Sequence, residues 1–83
     1  LKTKPDHILD IRKAIHPISL LKVSQVFRAM KEQETLEILC QDYDTRTDIF
    51  KVLPSFSYEL ISMEELKKDD PTFRVQVKKR KNI

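Results

Sequence analysis

The 83-residue chain has no glycine and a single cysteine, Cys40. Without glycine, a turn that needs positive φ must be built from a residue carrying a Cβ, at a steric cost, or be made in another geometry. One cysteine excludes an intramolecular disulfide and gives no support to secretion, which favours a reducing, intracellular home. No apolar run approaches the ~20 residues of a membrane span, and the opening Leu1-Lys2-Thr3-Lys4-Pro5 lacks the apolar segment of a signal peptide. The expected location is the cytoplasm, with no membrane partner. His7 and His16 flank opposite ends of a short predicted strand, and no cysteine or carboxylate spacing completes a tetrahedral set, so neither a metal nor a cofactor is expected. Nothing orders the serine, histidine and aspartate side chains as nucleophile, base and orienter.

Apolar residues make up 40% of the chain and charged residues 35%, a balance that suits a folded α/β domain rather than a disordered segment. At this size roughly three-fifths of the unfolded surface can be buried, which leaves room for one core. We therefore expect a single domain over residues 1–83, with 1–5 and 80–83 as flexible ends. Much of the net charge of +3 sits in Lys78-Lys79-Arg80-Lys81. This run reads either as a solvated strand end entering a frayed tail or as an anchor for nucleic acid or an acidic partner, and it has no interleaved aromatics.

Periodicity supplies the elements. His7 to Ile11 is a strand-length mix of apolar and polar residues. Pro17 marks a helix start, where its missing N–H has no intrahelical partner to lose. From Pro17 to about Glu32, the residues Leu20, Val23, Val26, Phe27 and Met30 fall on one helical stripe. Thr35 to Gln41 alternates, with Leu36, Ile38 and Cys40 on one face. Asp44 is the expected N-cap of a short second helix from Thr45 to about Leu53, whose face is Ile49, Val52 and Leu53 and which Pro54 closes. Ser57 to Met63 and Thr72 to Lys79 read as two further strands, the latter alternating Phe73, Val75 and Val77 against Arg74, Gln76 and Lys78. Lys67 to Pro71 is a polar surface connection, and Glu64-Glu65 a solvated charge cluster at a strand end or in a loop.

The fold class is thus an α/β two-layer sandwich of order βαβαββ. Right-handed helical crossovers put both helices on one face of a mixed four-stranded sheet, with the last two strands antiparallel.

The segment Asp10-Ile11-Arg12 followed by His16-Pro17-Ile18-Ser19-Leu20-Leu21-Lys22 resembles the signature of the TusA/SirA (YedF-like) family of sulfur-relay proteins. In that family an Asp-x-Arg ending the first strand precedes Cys-Pro-x-Pro and then Leu-Leu-Lys. The match continues through Met30-Lys31 with Glu34-Thr35-Leu36-Glu37, Asp42-x-x-Thr45-x-x-Asp48-Ile49, Tyr58-Glu59-Leu60 and Phe73-Arg74-Val75, in the family's order from about Ile8 to Lys79. The resemblance implies that the fourth strand lies between the second and third. It also implies glycines near Lys13 and Gln33, which this chain lacks, and a cysteine where His16 stands. Ser19 replaces the second proline.

A cysteine just before a helix is favoured as a thiolate by free N–H groups and the helix dipole, which suits it to accept a persulfide. An imidazole at that place is disfavoured as a cation, so His16 is expected to be neutral at pH 7, and it cannot hold sulfane sulfur. Either His16 is a surface loop residue at a site that has lost its role, or Arg12, His16, Pro17, Ser19 and Lys22 form a binding site for a protein partner, with sulfur-relay components among the candidates. Arg12 is equally open to pairing with Asp10, and Ser19 to satisfying local backbone groups.

These residues point to a non-catalytic, protein-binding or regulatory module related to sulfur-relay proteins. The alternative is a sulfur carrier or sulfurtransferase working through Cys40 or a partner's thiol, which needs Cys40 exposed although its strand face marks it as a small buried hydrophobe. A further alternative is an RNA-binding module, because the element order resembles the carboxyl-terminal domain of translation initiation factor 3 and Lys78, Lys79, Arg80 and Lys81 are basic.

Overall fold

The structure, a computed structural model, describes residues 4–15, 17–67 and 72–81. The chain forms β1 (His7–Asp10), α1 (Ile18–Ala29), β2 (Thr35–Cys40), α2 (Tyr43–Val52), β3 (Tyr58–Lys67) and β4 (Thr72–Lys79). This is the expected βαβαββ order. The four strands make one mixed sheet in the order β1-β2-β4-β3, with β1 parallel to β2 and β4 antiparallel to both neighbours. The last strand therefore inserts between the second and third, as the resemblance implied.

The core follows from the alternation in the two central strands. Leu36 pairs with Val77, Ile38 with Val75 and Cys40 with Phe73 across the β2–β4 ladder. All six side chains are buried, so one face of two strands becomes a continuous apolar surface. Ser19, Leu20, Val23 and Phe27 of α1, with Met30 just beyond it, and Ile49 and Leu53 from the α2 segment cover it. The opposite sheet face carries a polar ladder. Ser62 Oγ donates to Gln76 Oε1 (3.2 Å) and Gln76 Nε2 donates to Glu37 Oε1 (2.9 Å).

Several boundaries differ from the sequence expectation. Helix α1 ends at Ala29 rather than near Glu32, because Met30 leaves the helix with extended backbone (φ −72°, ψ 148°). Helix α2 is capped by Asp42, not Asp44. The Asp42 carboxylate accepts from the Thr45 amide at 2.6 Å, and Asp44 lies inside the first turn, where its charge still complements the helix dipole. Strand β3 runs past Met63 to Lys67, so Glu64 and Glu65 are strand residues. Glu64 is paired with Arg74 on β4 rather than merely solvated (3.2 Å). The connection expected at Lys67 to Pro71 falls, beyond Lys67, outside the described residues.

Two turns show what the missing glycines cost. The Glu34 amide donates to the Lys31 carbonyl and the Ser57 amide to the Pro54 carbonyl, closing two four-residue turns. Each puts a non-glycine residue at the third position with positive φ, Gln33 at 72° and Phe56 at 64°. Type II turns favour glycine there, and a Cβ costs about 1–2 kcal/mol. Gln33 is one of the two places where a glycine was expected. Near Lys13, the other, backbone φ stays negative, so that turn uses a different geometry.

Candidate functional site

The approach to α1 is ordered by short-range contacts. Asp10, at the end of β1, accepts from the Arg12 backbone amide (3.0 Å) and receives both Nε (2.9 Å) and a terminal guanidinium nitrogen (2.7 Å) of Arg12. This bidentate pair holds the Asp10 carboxyl well below its ordinary range, at about 2. Of the two sequence readings of Arg12, pairing with Asp10 is what is observed.

Pro17 is the residue preceding α1 and supplies no side-chain cap. Its carbonyl accepts from the Leu20 amide at 3.0 Å and the Leu21 amide at 3.3 Å, while the Ile15 carbonyl accepts from the Ser19 amide at 2.9 Å. These three first-turn donors are engaged by backbone, so an anion at this helix end meets the dipole rather than a set of open amides. Ser19, in the first turn of α1, is buried. Arg12 and Lys22 converge with Asp10, Lys13 and Ala14 on an open depression of about 420 Å³. His16 lies outside the described residues.

Sequence reasoning missed the apolar part of this surface. Ile15, Ile18 and Leu21 are 73%, 53% and 57% exposed beside those cations. Their positions, off the Leu20–Val23–Phe27 stripe, were the available signal.

Cys40 is fully buried on the inner face of β2, and burial, with a smaller push from Asp42, raises its thiol to about 11. A neutral thiol shut away from solvent is a poor nucleophile. His7 Nε2 sits 2.9 Å from Glu34 Oε1, a contact that draws the Glu34 carboxyl below its ordinary value.

Two residues of the basic run at the end of β4, Lys79 and Arg80, are tied to neighbouring elements. The Lys79 ammonium donates to the carbonyls of Phe27 (3.0 Å), Arg28 (3.3 Å) and Met30 (2.8 Å) and lies 5.2 Å from the centre of the Phe27 ring. It caps the carboxyl end of α1, where backbone acceptors have no partner of their own. Arg80 is tied to the start of β3, its Nε donating to the Tyr58 carbonyl at 2.9 Å and its amide to that of Ser57 at 2.8 Å.

The family model described as sulfurtransferase TusA matches residues 7–79. The chain belongs to the TusA family. Among curated relatives, an uncharacterized protein of Methanocaldococcus jannaschii, MJ0760, is 34% identical over 76 residues, covering 92% of this chain and 26% of its own length. The chain thus spans about a quarter of that relative. The same fold is seen in the solution structure of HP1264 from Helicobacter pylori, with TM-score 0.68, 14% identity, and 89% of this chain and 97% of that one covered. A SirA-like protein, DSY4693, from Desulfitobacterium hafniense superposes with TM-score 0.67 at 16% identity, covering 90% of this chain and 99% of its own. At these identities the two structures speak for the fold. No helix among the described residues is long and apolar enough to cross a membrane.

Proposed function

We propose that this TusA-family domain is a binding module that does not itself carry persulfide, and that it docks a protein partner of sulfur-relay type through the amino-terminal end of α1. One observation carries the reading: the chain's only thiol, Cys40, is sealed in the core with its pKa pushed up to about 11, while an imidazole, His16, occupies the motif position. Sulfane sulfur needs an accessible thiolate as acceptor. The docking surface pairs exposed Ile15, Ile18 and Leu21 with Arg12, Lys13 and Lys22, which suits a partner presenting apolar side chains rimmed by carboxylates.

The test is persulfide transfer from a purified cysteine desulfurase, read by intact mass. The expected result is no added sulfur on the native chain and a gain of one sulfur in the His16→Cys variant. A sulfur adduct on Cys40 of the folded native chain would overturn the proposal and favour a carrier working through that thiol.

A further inference from the structure

The opposite end of α1 holds a second candidate site, independent of the reading above. An open cleft of about 540 Å³ lies between the carboxyl end of α1, the turn before β3 and the end of β4. Its cations are Arg28, Lys31, Arg80 and Lys81, against the single carboxylate of Glu32, and Lys79, its ammonium seated on the α1 carbonyls, lines it as well. Phe56 stands at its edge with 91% of its surface exposed. The phenyl ring is held out by a turn whose positive φ favours glycine, so the chain carries both steric strain and an unburied aromatic at one position.

We infer that this cleft binds single-stranded nucleic acid, the cations following the phosphodiester backbone and a base stacking on Phe56. The chemistry argues for this occupant over an acidic peptide. Of the cleft's apolar lining, Phe27 and Met30 are already buried in the core and only Pro54 and Phe56 present surface, so a peptide side chain finds little to bury into, whereas a bare aromatic face beside cations is what an unpaired base needs. The cleft is open and does not enclose a ligand, which suits a strand lying along it rather than a mononucleotide held inside.

Fluorescence anisotropy with a labelled oligouridylate, titrated with the folded chain at low and moderate salt, tests the inference. Binding is expected at low salt and should weaken as salt rises, because counterions are released on contact. Phe56→Gly removes the ring while relieving the turn, so the variant stays folded, and it should weaken binding by about five-fold or more. Combined Arg28→Glu, Lys31→Glu and Lys81→Glu should abolish binding. No binding at low salt would overturn the inference. So would equal affinity in Phe56→Gly, or competition by polyglutamate as effective as by unlabelled oligonucleotide.

Discussion

The two ends of α1 are both basic, yet their cations serve different purposes. At the amino end, Arg12 forms an exposed chelate with Asp10, and Lys13 and Lys22 stand in solvent around a shallow depression. At the carboxyl end, the Lys79 ammonium is folded onto three helix carbonyls and the Phe27 ring. The difference lies in what each charge replaces. Three first-turn amides of α1 are satisfied by the Ile15 and Pro17 carbonyls, whereas the last-turn carbonyls take a side chain brought from a strand far along the chain. The exposed charges of the amino end can change without disturbing the fold, whereas Lys79 at the carboxyl end is part of it.

Substitutions that separate the two ends should differ in size accordingly. Phe27→Ala, beneath the capped end and almost fully buried, should destabilise by about 3–5 kcal/mol, measured by urea unfolding. Lys79→Met keeps the packing of the stem but strands the carbonyls, and a loss of about 2 kcal/mol is expected in the same assay. A loss near zero would mean that water caps the helix equally well. Gln33→Gly, in the turn that follows this end, should stabilise by about 0.5–1 kcal/mol. Relief of the left-handed backbone outweighs the greater freedom of glycine in the unfolded chain, and the gain should appear as a melting point a few degrees higher.

The amino end should give the smallest effect. Arg12→Gln is expected to cost under about 1 kcal/mol at neutral pH, since the pair is exposed and screened. Its signature is in the pH dependence. Asp10 has a folded-state pKa lowered from 3.8 to about 2, so the pair's contribution is fully present above pH 4 and disappears as pH falls through that interval. Stability profiles of the native chain and Arg12→Gln should therefore converge towards pH 2. Cys40 acts at the other extreme. Its thiol titrates near 11 when folded, so the unfolded chain ionises first and stability should decline as pH rises above 9.

Much of the architecture was legible because alternation and helical spacing are local. Leu36, Ile38 and Cys40 facing Phe73, Val75 and Val77 could be read before the strands were known to pair, and burial of Cys40 followed from its place in that pattern. The second helix start was misread because Asp42 and Asp44 are both competent caps. Only the path of the chain leaving β2 puts the Asp42 carboxylate 2.6 Å from the Thr45 amide. At the candidate site, Arg12 and Lys22 were identified and do converge, whereas Ser19 was included for its place in the motif and is buried. Ile15, Ile18 and Leu21 went unrecognised because an apolar residue off the main stripe does not announce whether another element covers it.

The sequence by itself determined the element order, the buried face of each central strand, the absence of a disulfide within these 83 residues and, through its motifs, the family. Tertiary structure alone decided the fate of the charges. Whether a lysine near the end of the chain is a solvated cation or a helix cap depends on which carbonyls lie within about 3 Å of its ammonium. That proximity is created by inserting β4 beside β2, which carries Lys79 back to α1 across 49 residues of intervening sequence separation from Met30.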